Sequence, residues 1–148
     1  MADPLPSLSP HSFQFYALGS AFFAGLTAIF GKLGVSHINS NLALFLRTII
    51  IILLLLGVIT ARKEWQRPAE LPWQDVLFLI LSAVMTGLSW MCYYRALQLG
   101  PASAVAPIDK LSVVFAIVLA VIFLGEALTW KVALGGSLVT LGVLILAL

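Results

Sequence analysis

Asp109 and Lys110 stand side by side in "PIDKLSVVF", two residues after Pro107, inside a run from Ala102 to Leu124 that is otherwise mostly apolar. An acid and a base in such a run do one of two kinds of work. They neutralise each other and fix packing, or they handle a charged solute or a proton. Arg47 and Arg95 also lie within apolar runs, and Lys32 lies near the end of one. Trp90 and Tyr93 offer faces to a cation or an aromatic ring. Ser89, Thr27 and Tyr16 offer hydroxyls. Covalent chemistry is poorly served. The single cysteine, Cys92, has no evident base nearby, Ser89 has no clear basic partner, and no His–Glu zinc motif is present. No enzyme activity, metal or cofactor is expected, and one cysteine cannot make an intrachain disulfide.

Composition decides what surrounds these residues. Of 148 residues, 61% are hydrophobic and 9% charged. Water-soluble domains are roughly half apolar and about a quarter charged, so a bilayer is the expected solvent. The net charge of +2 is too small to point to nucleic acid. The opening "MADPLPSLSPHS" lacks a basic n-region, and the apolar run behind it is long enough to stay in the membrane. Residues 1–12 read as a polar, proline-rich tail.

A membrane helix needs about 20 mostly apolar residues, and five stretches qualify: 13–33, 42–61, 76–99, 102–124 and 130–148. The segments between them carry turn and cap residues. Ser40 or Asn41 is expected to cap the second helix and Thr129 the fifth. Trp65, Trp73 and Trp130 fall near span ends, where amphipathic rings anchor. Five spans put Arg62, Lys63, Arg67 and Lys131 on one side and Lys32, Arg47, Arg95 and Lys110 towards the other. Only the first set lies mainly in loops, which places the N-terminus in the cytoplasm. The balance of four against four also allows insertion in both orientations.

Helical periodicity then aligns the polar residues. Ser82, Thr86, Ser89 and Tyr93 share one face of the third helix, with Trp90 and Tyr94 beside it. Tyr16, Ser20, Ala24, Thr27 and Gly31 make a small-and-polar stripe on the first. Asp109, Ser112, Ala116 and Ala120 share a face of the fourth, and Lys110 lies 100° further round, towards Val113, Val114 and Ile117. The second helix, "IIIILLLL" at its centre, reads as lipid-facing. Small residues and hydroxyls also serve close helix packing. A charge at a span's centre is costlier, about 2.5–3.5 kcal/mol on insertion scales. Lys32 is close enough to a span end to snorkel. Asp109 is deeper and is expected either to pair with Arg95 or Lys110 or to face a hydrated cavity. Pro107 cannot donate to the carbonyl of Ser103, so the helix is expected to kink or loosen there. A helix break beside a membrane acid is a way of building a transport site.

The stretch "YYRALQLGPASAVAPIDKLSVVFAIVLAVIFLGEALTWKVALGGSLVTLGVLIL" resembles the EamA-type domain of the drug/metabolite transporter superfamily. The resemblance rests on an aromatic-Arg-Ala-Leu helix end, a small-residue turn, a Pro-containing helix ending in "LGE", and a Gly-rich last helix. "FAGLTAIFGKLGVSHINSNLALFLRT" is similar to the family's first helix and the start of its second. The resemblance covers about residues 13–148. It implies an all-α integral membrane protein, a five-transmembrane-helix bundle equal to half of the ten-helix fold, in which two such domains form an inverted repeat. "IDK" is not general in that family.

The expected function is that of a small secondary transporter in a bacterial plasma membrane. It would move a small organic solute by alternating access as a homodimer, antiparallel rather than parallel. Gly135 and Gly142 on the last helix are candidate dimer contacts. Asp109, Lys110, Arg47, Arg95, Trp90, Tyr93, Ser89, Tyr16 and Thr27 are the expected solute and proton pathway, with Pro107 as the helix break. The alternatives are a flippase subunit for a lipid-linked or amphiphilic substrate and a non-transporting partner of another membrane protein.

Overall fold

The computed structural model describes residues 12–67 and 70–147. They form six α-helices: α1 (Ser12–Gly34), α2 (Ser40–Arg62), α3 (Trp73–Leu99), α4 (Ala102–Asp109), α5 (Leu111–Phe123) and α6 (Trp130–Ala147). With α4 and α5 forming one span, five helical segments of 18 to 27 residues are long and apolar enough to cross a membrane. The expected N-terminal tail, apart from Ser12, lies outside the described residues.

Local chemistry sets the helix ends. The Oδ1 of Asn39, rather than Ser40 or Asn41, caps α2 by accepting the Asn41 N–H at 2.9 Å. Ser40 is instead buried. Helix α3 begins three residues before the expected Val76, because Pro72 leads in with φ −58° and Asp75 complements the positive helix end. Thr129 Oγ1 accepts the Val132 N–H at 3.3 Å and caps α6. The "LGE" element is the stop of α5. Gly125 sits at φ 66°, a left-handed conformation suited to glycine. Around it, the N–H groups of Leu124 and Glu126 both donate to the Ala120 carbonyl, at 3.0 and 3.3 Å.

The fourth span departs from the expected single helix over 102–124. Helix α4 continues through Pro107 to Asp109, and the chain breaks at Lys110. Past Pro107 the backbone bonding tightens. Lys110 N–H donates to Pro107 O at 2.9 Å, and Val113 N–H to Lys110 O at 3.0 Å. Both bonds reach back three residues, as in a 3₁₀ turn. The expected loosening at Pro107 is therefore displaced onto the Asp109–Lys110 pair itself.

Helix α3 packs against α1, α2 and α4, while α6 packs against α4 and α5. Val35, Ala43, Tyr94 and Leu97 form a buried cluster where α1 runs into α2 and α3 into α4. Gly31 permits the approach of α1, since a Cβ there would lie 3.3 Å from Leu97 Cδ1. The middle of α2 is exposed, with Ile50 65% and Leu53 62% accessible. In a bilayer such surface meets lipid or another helix.

Two polar ties close the same end of the bundle. Lys32 Nζ donates to the Leu97 and Gly100 carbonyls at 2.6 and 2.9 Å. Gln98 Nε2 donates to the Ile38 and Val35 carbonyls at 2.8 and 3.3 Å. Lys32 thus turns inward rather than snorkelling. The last carbonyls of α3 lack helical partners and carry partial negative charge, so a nearby ammonium is better placed there than at the surface. Lys32→Met keeps most of the apolar stem and removes both bonds. Hydrogen bonds from charged groups contribute about 1.5–3 kcal/mol each. The expected outcome is a clear fall in the unfolding midpoint in mixed micelles, partly restored by Lys32→Arg. Equal midpoints for Lys32→Met and the parent protein would show that the tie contributes no net stability.

Candidate functional site

Above the closed end lies a cavity of about 480 Å³, within the usual size range of small-molecule sites. Helix α1 contributes Ser20 and Thr27, with Phe23 and Ala24 between them. Helix α2 contributes Arg47, and α3 contributes Ser89, Trp90 and Tyr93. The broken span adds Asp109, Lys110 and Ser112. The stripes on α1 and α3 face the same space because both helices pack beside α4.

Arg47 is held by aromatic faces. Its guanidinium carbon lies 4.2 Å from the centroid of a Trp90 ring and 5.5 Å from that of Tyr94. Both distances suit a cation–π interaction. Trp90 and Tyr94 are one helical turn apart, so a single face of α3 presents both rings to α2. Among the described residues, Arg47 has neither an ion pair nor a hydrogen bond through its side chain. Asp109 Oδ2 lies 3.3 Å from Lys110 Nζ. Thr27 Oγ1 donates to the Phe23 carbonyl at 2.8 Å, which leaves its lone pairs directed to other donors.

Two smaller spaces adjoin the cavity through shared residues. Asp109, Ser89 and Tyr93 also border a space of about 270 Å³ between α3 and α4, lined further by Ala96, Val105 and Ile108. Arg47 and Thr27 also border a cleft of about 340 Å³ between α1 and α2, lined largely by apolar residues such as Phe30, Leu46 and Ile50. Asp109 and Arg47 therefore each stand at a boundary between two spaces.

Seven of the nine expected pathway residues meet in the cavity: Asp109, Lys110, Arg47, Trp90, Tyr93, Ser89 and Thr27. Lys110 joins them despite its expected turn towards Val113, Val114 and Ile117, because the helix breaks at this residue. Tyr16 does not join. It is 70% exposed and packs edge-on against Phe15, one turn or roughly 6 Å before Ser20. Arg95 does not join either. It lies two residues, about 200°, beyond Tyr93 on α3, and it donates to Gln98 Oε1 at 2.9 Å. Its expected pairing with Asp109 is thus absent, and Asp109 pairs with Lys110 alone among the described residues. Gly135 and Gly142 lie on α6 outside the cavity, with open space where a side chain would start. Phe23 belongs to the lining without any sequence signal beyond its apolar type.

Residues 12–148 match the model of the EamA-like transporter family. The chain belongs to that family. A curated protein from a Sinorhizobium species, described as an uncharacterized transporter in the cobO 3' region, is 48% identical over 136 residues. That match covers 92% of this chain and 96% of the relative. No solved structure matches significantly. The chain is an integral membrane protein and a transporter of the drug/metabolite superfamily, with five candidate spans among its described residues.

The lining has a direct chemical test. In a Cys92→Ser background, single cysteines at Ser20, Ser89 and Ser112 are expected to react with a water-soluble maleimide. Cysteines at Leu53 and Leu54, exposed on the apolar middle of α2, are expected to react much more slowly, since the thiolate needs water to form. Equal protection of all five positions would mean a dry packed core.

Proposed function

We propose that the protein is a secondary transporter of a small organic solute, working as an antiparallel homodimer in a bacterial plasma membrane. The observation that carries this reading is the polar cavity between the membrane helices, which opens beside a broken span and contains an acid and two bases. Packing alone does not call for this. Inside a bilayer such groups are costly, and irregular backbone is tolerated where it lines a cavity. The polar ties of Lys32 and Gln98 close one end of the unit, as alternating access requires of one side at a time.

A second copy supplies the missing wall. Five helices leave Ser20, Ser89 and Ser112 exposed around the cavity, so the solute path needs another surface to enclose it. The four-to-four distribution of cations favours an inverted partner, and the open space at Gly135 and Gly142 makes α6 a candidate contact. Reporter fusions at the C-terminus check the arrangement. Antiparallel pairing predicts signal from both faces of the membrane, and signal from one face alone would rule it out.

Asp109 is the proposed proton carrier. The titratable and charged groups sharing its cavity are Lys110 beside it, Arg47 from α2 and Tyr93 from α3, while α1 offers only the hydroxyls of Ser20 and Thr27. Asp109→Asn keeps the shape and one acceptor but cannot exchange a proton. It is expected to abolish accumulation driven by a pH gradient in proteoliposomes while leaving solute exchange and the folded dimer in place. Retained proton-driven accumulation would reduce Asp109 to an ion-pair partner at the break.

A further inference from the structure

We infer that the solute is an organic monoanion whose carboxylate seats on Arg47. The inference rests on the cavity being the solute site, and it goes further by assigning the solute's charge. Two cations and one carboxylate share the cavity. Asp109 and Lys110 neutralise one another at 3.3 Å. The charge that remains is the Arg47 guanidinium, which has no anion or hydrogen-bond acceptor among the described residues. Trp90 and Tyr94 fix its position through their faces, but a ring face takes none of the directed N–H bonds at a guanidinium edge. The edge is a rigid fork whose spacing fits a carboxylate.

Competing solute charges fit less well. A cation entering the cavity would meet a net positive field, and Asp109, the one carboxylate lining it among the described residues, is already engaged by Lys110. A zwitterion would have to displace Lys110 from Asp109 to satisfy its own cation. A neutral solute would leave Arg47 without a counter-ion inside the membrane, which is the expensive state. A monoanion completes Arg47 and disturbs nothing. Its apolar body has Phe23, Ala24, Trp90 and Tyr93 to lie against, and Arg47 also borders the apolar cleft between α1 and α2.

Trp90 itself can report the binding. In full-length detergent-purified protein with Trp65, Trp73 and Trp130 replaced by Phe, Trp90 fluorescence is followed during titration with benzoate, benzamide and benzylammonium. Benzoate is expected to give a saturable change. Benzamide and benzylammonium are expected to bind at least about tenfold more weakly, the loss of one charge-assisted contact. Arg47→Gln should abolish the benzoate response and Arg47→Lys should weaken it, with helicity and elution volume checked for both. Equal or tighter binding of benzylammonium, no saturable benzoate response, or an undiminished response in folded Arg47→Gln would each overturn the inference. Uptake of labelled benzoate into proteoliposomes separates this from the transport reading. Specific binding with no uptake would count against transport and leave the anion site standing, whereas uptake of benzylammonium in preference to benzoate would do the reverse.

Discussion

The Lys32 ammonium, seated on the carbonyls at the end of α3, is the contact on which the rest of the arrangement depends. It joins α1 to the carbonyl of Leu97, 65 residues further along the chain. Because the last turn of α3 is held there, the face of α3 that meets α1 and α2 is set for the whole helix. Leu97 and Tyr94 enter the buried cluster, and one turn further on Trp90 lies beside Arg47. In lipid the apolar side chains gain little by touching each other rather than the acyl chains, so directed polar contacts and close packing must orient the helices. A lysine serving backbone carbonyls does that with one side chain.

The two ionic features of the cavity are held in different ways. Asp109 and Lys110 sit at the break between α4 and α5, where the backbone closes on nearer carbonyls. Their pairing is local, and adjacent residues can keep it as the helices on either side move. Arg47 depends on two helices, since α2 carries the cation and α3 the rings. Any rearrangement of α2 against α3 changes its surroundings. One charge centre travels with its partner, and the other registers the relative position of two helices.

The spans were legible because twenty-residue apolar runs admit few other readings, and helical spacing correctly grouped Ser89 with Tyr93 and Ser20 with Thr27. Where the pattern of a single helix misleads, the deciding partner lies elsewhere in the chain. Lys32 near a span end looks like a snorkelling residue until the carbonyls of Leu97 and Gly100 come within reach. Arg95 looks like part of a basic cluster by depth alone, but depth does not specify a face, and it points to Gln98. Tyr16 follows the stripe of Ser20 but falls beyond the cavity. Pro107 marked the weak span, while the competition between i−4 and i−3 bonding moved the break to Lys110. Such competition is settled by the packed backbone and leaves no mark in residue types.

On the proposed reading, the two charge centres are linked by their electrostatics. A proton taken up by Asp109 would discharge its carboxylate and free Lys110 from its present partner. The cavity would then hold two unmatched cations instead of one. An anion on Arg47 would be bound more tightly in that state, and linkage makes the effect reciprocal, so the bound anion would also favour the proton. Proton and anion would therefore load together and leave together, which suits movement of both in the same direction. The opposite sign, exchange of one for the other, would require them to compete for a single group. Asp109 and Arg47 stand on different helices and each has its own contacts. The arrangement favours joint loading over competition.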